Sequence, residues 1–365
     1  MKIRKAILTG GGRATRLQPI TTTINKHLLP LANKPMIFHA IEKVVEAGVE
    51  EIFINTNPGD TVLAEAIGDG GRWGVSITFF EQTGGPQGIA HVVKEAQKFI
   101  GDDPFIFYLS DNVVLGSVKD LVDTFNEREY QCLLVLAEVP DPERFGVPVF
   151  NEQKQLVDVW EKPLNPPNSF AVTGIYLYGP KVFFEAYNHI EKSPRGEYEI
   201  SSIHSYFLKH GVPVGYKEVT GWWKDTGKPI DLILANRLLL DAMPTDHFVR
   251  QGDISSDTAI HGQVRIGIGS HVKAGVTIHG PVIIGENCVL EGCVIGPNVS
   301  IGSGSTLCGA TIQDTIILDN TTIQSSLRVS ESLIGKNVRI VHTAPATVGG
   351  THRLILGDKT VWEIQ

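Results

Sequence analysis

An aliphatic residue recurs every six positions in the C-terminal third of the chain. The positions are Ile260, Ile266, Val272, Ile278, Ile284 and Leu290, and after a slip of one residue the pattern resumes at Ile295, Ile301 and Leu307. A six-residue period is typical of a left-handed parallel β-helix, in which each flat face directs one aliphatic side chain inward. The pattern is less regular after Gln313, and we expect the tail, His352 to Glu363, to cap the coil.

The preceding residues alternate between strand-like and helix-like patterns. Apolar runs at 3–8, 51–56, 75–81 and 105–109 predict strands, and helical spacing predicts helices over 34–49, 61–68 and 88–99. Such alternation favours a parallel sheet with helices on both faces, and from about residue 130 strands dominate. The sequence therefore predicts an α/β domain with a mixed sheet over 1–243, followed by a left-handed parallel β-helix over 244–365.

Three consecutive glycines, Gly10 to Gly12, follow the first predicted strand directly after Leu8-Thr9. Consecutive glycines allow a sharp turn that brings backbone N–H groups close to an anion, and Arg13, Arg16 and Lys26 add positive charge. The loop is not a P-loop, because no Gly-Lys-Ser/Thr follows. It is not a dinucleotide fingerprint either, because Thr15 stands where the last glycine should be. We interpret the segment as a phosphate-binding loop.

The glycine loop continues into Thr15-Arg16-Leu17, Pro19 and Lys26-His-Leu-Leu-Pro30. This combination resembles the signature of the sugar-1-phosphate nucleotidyltransferases, and residues 1 to about 240 resemble that family throughout. The resemblance implies a Rossmann-like nucleotidyltransferase domain. Two departures are visible: Ala14 stands where a glycine is usual, and Thr9-Gly10 stand where Leu-Ala is usual. The methyl group of Ala14 restricts the backbone there and is expected to reshape the triphosphate cradle.

Two aspartates at predicted strand ends, Asp111 and Asp225, supply the hard oxygen ligands that a Mg²⁺ bound to a nucleoside triphosphate requires. Each taken alone would be interpreted as a turn or cap residue, but both fall where the family places its metal ligands. The resemblance implies catalytic roles for Arg16, Lys26, Asp111 and Lys162. It implies nucleotide binding by Leu8, Gly10, Gly11, Gly12, Gln82, Gly88 and Asp111. It implies sugar-phosphate binding by Asn112, Gly146, Glu161, Lys162, Thr173 and Gly174.

The longer members of the glucose-1-phosphate thymidylyltransferase group share this two-part layout. The resemblance implies Mg²⁺-dependent, in-line transfer from dTTP to glucose 1-phosphate, giving dTDP-glucose and pyrophosphate without a covalent intermediate. His27 stands where that group usually has glutamine, so a UTP-dependent enzyme, or one for another sugar 1-phosphate, remains an alternative. A non-catalytic regulatory or assembly subunit is a third hypothesis. The presence of all five charged residues that the family's activity requires argues against it; they are Arg16, Lys26, Asp111, Lys162 and Asp225.

Composition excludes several other classes of protein. A net charge of −8 argues against a nucleic-acid or anionic-membrane surface, and no apolar run is long enough to span a membrane. The four cysteines lack metal-binding spacing, which together with the absent signal peptide predicts reduced thiols in a cytoplasmic protein. We expect a homo-oligomer assembled through the β-helix. His261, His271 and His279 in the repeats are interpreted as edge or loop residues rather than as an acyltransferase site.

Overall fold

The computed structural model of the chain describes residues 2–12, 14–82, 84–219, 221–342 and 350–364. Contacts divide the chain into two compact units. The first unit comprises Met1–Arg13 and Ile37–Asp225, and the second comprises Ala14–Met36 and Thr226–Gln365. Within the described ranges, no helix is both long and apolar enough to cross a membrane.

Thirteen strands and eight α-helices precede the repeats among the residues that the structure describes. The strands are β1 (Lys5–Thr9), β2 (Pro30–Leu31), β3 (Lys34–Pro35), β4 (Glu51–Thr56), β5 (Ser76–Glu81), β6 (Phe105–Tyr108), β7 (Asn112–Val114), β8 (Cys132–Glu138), β9 (Gly146–Phe150), β10 (Leu156–Glu161), β11 (Phe170–Tyr178), β12 (Val214–Glu218) and β13 (Trp223–Asp225). The helices are α1 (Met36–Glu46), α2 (Thr61–Ile67), α3 (Ile89–Glu95), α4 (Gln97–Ile100), α5 (Val118–Glu127), α6 (Val182–Tyr187), α7 (Ile200–Lys209) and α8 (Pro229–Ala242).

The first unit is built on a mixed sheet. β5, β4, β1 and β6 pair in parallel in that order, and β11 then pairs antiparallel with β6, β8 and β9. The central strand β1 is buried on both faces through Ala6, Ile7 and Leu8, which is why it reads as a continuous apolar run. The predicted α/β domain with a mixed sheet is therefore confirmed.

Several element boundaries differ from the sequence-based prediction. The helix predicted over 34–49 begins only at Met36, because Lys34 and Pro35 pair with β2 in a hairpin. The helix predicted over 88–99 is two helices, α3 and α4, which meet at Ala96. Helix α5 was not predicted. The short ladder between β7 and β13 was not predicted either, because three-residue strands carry almost no periodic signal.

The repeats form three parallel sheets, as the six-residue period predicts. The strands are β14 (Asp253–Ile254), β15 (Ala259–His261), β16 (Val264–Ile266), β17 (His271–Val272), β18 (Thr277–His279), β19 (Val282–Ile284), β20 (Val289–Glu291), β21 (Val294–Ile295), β22 (Val299–Ile301), β23 (Thr306–Cys308), β24 (Thr311–Ile312), β25 (Thr315–Ile317), β26 (Thr322–Gln324), β27 (Arg328–Val329), β28 (Ser332–Ile334), β29 (Arg339–His342), β30 (Thr351–His352), β31 (Ile355–Leu356) and β32 (Val361–Ile364). Every third strand joins the same sheet, so one coil contributes one strand to each face.

The interior of the coil is filled by the predicted aliphatic residues. Ile266, Ile284 and Ile301 are buried side by side on one face, where their strands pair in register. The regular coil continues beyond Gln313, although the sequence pattern weakens there. The tail, which was expected to cap the coil, adds the last strand to each of the three sheets through β30, β31 and β32.

Candidate active site

Two candidate metal ligands are brought to one place by the short ladder between β7 and β13. Asp111 precedes β7, and Asp225 ends β13, where it pairs with Asn112. Asn112 also donates from Nδ2 to Asp111 Oδ1 at 2.9 Å. Two carboxylates separated by 114 residues in the chain therefore flank a single asparagine.

Asn112 is a buried junction of this site rather than a surface residue. Its Oδ1 accepts from the Trp223 indole Nε1 at 2.8 Å and from the Gly174 backbone N–H at 3.1 Å. A Cβ at position 174 would lie 2.8 Å from the Asn112 side chain, so the close approach requires glycine there. The neighbouring Thr173 is fully buried, and its hydroxyl oxygen has no hydrogen-bond partner among the described residues. The predicted sugar-side residues Asn112, Thr173 and Gly174 thus lie together.

The surroundings of the two aspartates are polar and partly enclosed. An Arg144 guanidinium nitrogen lies 4.0 Å from Asp225 Oδ2, beside a cleft of about 370 Å³ lined in part by Trp223 and Asp225. Burial, followed by the charge of Asp111, raises the pKa of Tyr108, whose hydroxyl donates to the Asn112 carbonyl at 3.0 Å. No cluster of three or more His, Cys, Asp or Glu side chains suited to a metal occurs among the described residues.

The donor set nevertheless fits a hard divalent cation that keeps part of its own shell. Mg²⁺ in nucleotide enzymes is commonly held by one or two carboxylates, with phosphates and water completing the octahedron. Asp111 and Asp225 provide two carboxylates, whose hard oxygen atoms are the ligands that such an ion prefers. A dedicated cage of three or more protein carboxylates is not required for such an ion.

The glycine loop is hydrogen-bonded to two asparagines that were not predicted from the sequence. Gly10 N–H donates to Asn55 Oδ1 at 3.1 Å, and Gly12 N–H donates to Asn57 Oδ1 at 2.9 Å. These asparagines stand at the end of β4 and just beyond it, beside the carboxyl end of β1. A Cβ on Gly10 would lie 2.5 Å from Leu63 and one on Gly11 2.9 Å from Asn55, which explains these two glycines by close packing.

Two further loop predictions have different outcomes. Leu8, expected at the nucleotide, is fully buried in β1 between β4 and β6, so only its backbone is available there. Arg13, predicted to add positive charge, lies outside the described residues.

Glu161 and Lys162 form the centre of a charged cluster at the end of β10. Glu161 Oε1 lies 3.1 Å from the Lys162 amine and 3.0 Å from an Arg195 guanidinium nitrogen, while Oε2 accepts from the Ser201 hydroxyl at 3.0 Å. Gly146 pairs with Glu161 across the β9–β10 ladder. Lys162 adopts a positive φ of 45°, a left-handed conformation that turns the chain sharply after the strand. Ser201 was not among the predicted site residues.

Gln82 and Gly88, two of the residues predicted to bind the nucleotide, are anchored by backbone groups that are distant in the sequence. Gln82 follows β5, and its N–H donates to Thr56 O at 3.0 Å. Gly88 has a φ of 94°, and a Cβ there would lie 2.4 Å from the Tyr198 carbonyl oxygen. Tyr198 N–H in turn donates to Gln87 O at 2.7 Å. In this structure, the close approach that glycine permits at position 88 is to the protein's own chain.

The remaining two predicted catalytic residues belong to the second unit. Arg16 is exposed in a 3₁₀ turn over Thr15–Leu17, which begins after Ala14 in a left-handed conformation (φ 44°, ψ 37°). Lys26 is half-buried and opens the 3₁₀ turn Lys26–Leu28. The Asn25 side chain caps that turn by accepting from His27 N–H at 2.9 Å.

The repeat histidines lie on the outside of the coil, as expected for edge residues. His261 and His279 are exposed neighbours on paired strands, with ring centroids 5.2 Å apart. His271 contacts the exposed Asp253 at 3.4 Å. All four cysteines are free thiols, three of them buried, in agreement with the prediction of reduced cysteines.

Comparison with known proteins is consistent with this geometry. The "Nucleotidyl transferase" family model matches residues 5–242, and the "GMPPB C-terminal domain" model matches residues 278–360. The chain is 35% identical to a glucose-1-phosphate thymidylyltransferase of Streptomyces antibioticus, over 99% of both chains. It is 36% identical to a low-salt glycan biosynthesis nucleotidyltransferase of Haloferax volcanii, over 98% of this chain and 99% of the relative.

A solved structure also resembles the chain. A proposed glucose-1-phosphate thymidylyltransferase from Bacillus anthracis, in complex with sucrose, superposes with a TM-score of 0.60 at 38% identity. The match covers 64% of this chain and 94% of that one.

Proposed function

Because this chain belongs to the nucleotidyl transferase family and is a sugar-1-phosphate nucleotidyltransferase, we propose that its reaction joins dTTP and glucose 1-phosphate. The products are dTDP-glucose and pyrophosphate. The full-length similarity to a glucose-1-phosphate thymidylyltransferase supports this choice of substrates. A second candidate, a UTP-dependent enzyme or one for another sugar 1-phosphate, is favoured by His27, which replaces the glutamine usual in the thymidylyl group.

The observation that carries the proposal is the arrangement around Asn112. The buried side chain of Asn112 contacts Asp111 and accepts from the backbone of Gly174, and the backbone of the same residue pairs with Asp225 in the β7–β13 ladder. The candidate metal ligands and the candidate sugar-side residue Gly174 are thereby linked through one residue. Such an arrangement suits a reaction in which a sugar phosphate must meet a metal-bound nucleotide.

Asp111 and Asp225 would hold Mg²⁺, with phosphate oxygens and water as further ligands. The bound ion would neutralise phosphate charge, which otherwise repels an anionic nucleophile. Asn112 keeps Asp111 oriented through its Nδ2 donor, and the β7–β13 ladder fixes the position of Asp225. The contribution of these residues is to bind and to position.

Glu161 and Lys162 would bind the sugar phosphate. The Lys162 ammonium is an ordinary partner for a phosphate, and the Glu161 carboxylate can accept from hexose hydroxyls. Arg195 contacts one carboxylate oxygen of Glu161 and the Ser201 hydroxyl donates to the other, so both oxygens are already oriented. Because the carboxylate is held from both sides, little rotational freedom is lost when a sugar binds.

The nucleotide would bind along the glycine loop and the segment after β5. Gln82 offers both a donor and an acceptor to a pyrimidine edge, and the loop at Gly88 is fixed by Tyr198. A phosphate oxygen of the sugar 1-phosphate then attacks the α-phosphorus in line. The bond between the α-phosphorus and its bridging oxygen to the β-phosphate breaks, and pyrophosphate leaves. The resemblance to the family assigns to Arg16 and Lys26 the role of balancing the developing negative charge.

The experiment is to measure pyrophosphate release with Mg²⁺, glucose 1-phosphate and dTTP, UTP, CTP, GTP or ATP in turn. We expect a clear preference for dTTP. A preference for UTP would support the second candidate, and absence of release with any combination of these triphosphates and several sugar 1-phosphates would contradict the function itself.

The role of Glu161 is tested separately with Glu161→Gln. Loss of the charged acceptor is expected to raise the KM for the sugar phosphate about tenfold, while the KM for the nucleotide stays unchanged. The matched control is Glu152→Gln, which changes an exposed glutamate of the same unit. An equal rise in both KM values would contradict the assignment to the sugar side.

A further inference from the structure

The short hairpin that follows Lys26 is fastened at its tip to helix α8 and to the β-helix. Ala32 and Asn33 connect β2 to β3 with φ values of 49° and 58°, the left-handed pair of a tight two-residue hairpin turn. Ala32 N–H donates to Asn236 Oδ1 of α8 at 2.8 Å, and Asn33 Nδ2 donates to Ile301 O of β22 at 2.6 Å. All of these residues belong to the second unit.

Asn236 completes this attachment as a buried polar link. It is 1% exposed, and its Oδ1 also accepts from the Ser300 hydroxyl of β22 at 2.8 Å. One oxygen atom therefore joins the hairpin, the helix and the coil. A buried acceptor with two donors is costly to disturb, because removing it leaves an N–H and an O–H without partners.

An apolar cluster surrounds the same tip. Ala32 packs with Leu240 of α8 and Ile283 of β19, and Leu239, Met243 and Phe248 lie against them. The polar link and the apolar cluster together fix both the position and the orientation of the turn. A two-residue hairpin has too few contacts of its own to be ordered in water, so this ordering comes from α8 and the coil.

A second attachment lies nearer to Arg16, at the last coil of the β-helix. Thr23 Oγ1 donates to Asp358 Oδ2 at 2.6 Å, while the other carboxylate oxygen accepts from Lys336 N–H at 2.7 Å. Gly357 approaches Pro19 so closely that a Cβ there would lie 3.1 Å from the proline. The segment 14–36 is therefore held by the β-helix at two points, on either side of Lys26.

We propose that the β-helix acts as a rigid mount for the segment that carries Arg16 and Lys26, with Asn33 and Asn236 as positioning residues for Lys26. The inference rests on the proposed function, since Lys26 matters only if it faces the reacting phosphates. Between its two attachments the segment is built of 3₁₀ turns and the hairpin, which are short elements with few internal backbone hydrogen bonds. A small displacement of a charged group that stabilises a transition state lowers kcat more than it weakens substrate binding.

The test is Asn33→Gly, compared with Asn337→Gly. Both asparagines have positive φ values, 58° and 57°, so glycine keeps the turn and changes the unfolded chain equally. Asn33→Gly removes the hydrogen bond to Ile301, whereas Asn337 is exposed in a coil turn. We expect kcat to fall about fivefold for Asn33→Gly, with both KM values changed less than twofold, and no change for Asn337→Gly.

A double-mutant comparison separates positioning from general stability. In a Lys26→Gln background, Asn33→Gly should lower kcat by less than twofold, because the group it positions is gone. A full fivefold loss in both backgrounds would overturn the proposal. So would an equal loss in Asn337→Gly.

Hydrogen exchange gives a readout that does not need activity, and it distinguishes failure of this inference from failure of the proposed function. Amides of peptides covering 24–35 should exchange at least about tenfold faster in Asn33→Gly than in the wild type or in Asn337→Gly. If no substrate pair is turned over but this acceleration is seen, the mount stands and the proposed function fails. Unchanged exchange over 24–35 would overturn the mount even in an active enzyme.

Discussion

The two units bury polar groups in opposite ways. In the β-helix, one position of successive coils carries Ser270, Cys288, Ser305 and Thr321, which stack because their strands pair in register. Ser270 Oγ accepts from Cys288 N–H at 3.0 Å, and Ser305 Oγ accepts from Thr321 N–H at 3.2 Å. Each bond joins one coil to the next, and the same device is repeated along the axis.

In the α/β unit, the buried polar groups converge instead of repeating. Asn112 gathers contacts from Asp111, Gly174 and Trp223, which come from three separate segments of the chain. Asn55 and Asn57 likewise support a glycine loop 45 residues away in sequence. The difference teaches that burial of polar groups serves the fold where it is periodic. Where it is singular and lies at strand ends, we propose that it prepares a site for ligands.

The largest expected effect on kcat comes from changing Asp111, one of the residues that meet at Asn112. Asp111→Asn should lower kcat about 10³-fold, equivalent to about 4 kcal/mol of transition-state stabilisation, because a charged ligand and its metal are lost. The amide oxygen can still accept from Asn112, so the thermal midpoint should stay within about 2 °C of the wild type. Steady-state kinetics and thermal denaturation measure the two quantities.

The matched control for that experiment is Asp123→Asn, which alters an exposed aspartate of α5 in the same unit. Wild-type turnover is expected there. Wild-type turnover in Asp111→Asn would instead show that the converging carboxylate is structural, and the distinction between the two units would fail.

A repeated polar residue should show the reverse behaviour. Thr321 is fully buried, and its hydroxyl donates to Gly335 O of the next coil at 2.8 Å. Thr321→Val keeps the shape but leaves that carbonyl without its partner, which should lower the free energy of unfolding by about 2 kcal/mol with kcat unchanged. Urea denaturation followed by circular dichroism measures the loss.

Thr322→Val is the control for this change, because Thr322 is next in sequence and only half-buried. Its expected effect is within about 0.5 kcal/mol. Equal destabilisation by both variants would mean that the valine, and not the missing hydrogen bond, is responsible.

The same contrast explains how much could be read from the sequence. The β-helix was predictable because a coil converts a six-residue period directly into burial, as Ile266, Ile284 and Ile301 show. The candidate site was predictable where a motif is contiguous, as in the glycine loop and Glu161-Lys162. In both cases the information lies within a few neighbouring residues of the chain.

Supporting residues left no such local trace. Asn236 lies 204 positions from Ala32, and Ser201 lies 40 positions from Glu161. An asparagine or a serine in a helix is compatible with many surroundings, so its partner is decided only when the chain has folded. The β7–β13 ladder was missed for the same reason, because three residues per strand cannot display a period.

His204, a buried residue of the α/β unit, should contribute to stability and not to catalysis. The pH dependence of stability tests this expectation. His204 of α7 is fully buried, and its Nε2 lies 2.8 Å from the Tyr178 hydroxyl. Burial lowers the pKa of His204 from 6.5 to about 3. The folded protein therefore keeps the ring neutral, whereas the unfolded chain takes up a proton below about pH 6.5.

This difference fixes the sign of the pH dependence. The contribution of His204 to stability is complete above about pH 7 and is lost as the pH falls from 6.5 toward 3. Between pH 8 and pH 5.5 the loss should be about 1.4 kcal/mol, and His204→Gln should remove that part of the slope. Urea midpoints at the two pH values measure it, with the exposed His247→Gln as control. An unchanged slope in His204→Gln would contradict a neutral buried ring.

The smallest expected effect concerns Ala14, where the second unit takes up the chain from the glycine loop. Its φ of 44° places a Cβ in the left-handed region, which costs about 1–2 kcal/mol for residues other than glycine. Ala14→Gly removes that strain but gives the unfolded chain more freedom, so the net gain should be about 0.5 kcal/mol. The Thr21 hydroxyl, which donates to Ala14 O at 2.9 Å, can keep its bond in the variant.

The matched comparison is Ala32→Gly, because Ala32 also has a positive φ, of 49°. This substitution additionally removes the packing of the Ala32 methyl group against Leu240 and Ile283. Urea denaturation measures the free energy of unfolding of both variants. A rise for Ala14→Gly with a fall for Ala32→Gly would show that the strain at Ala14 is not offset by packing. A fall for both variants would mean that the methyl group of Ala14 is itself needed.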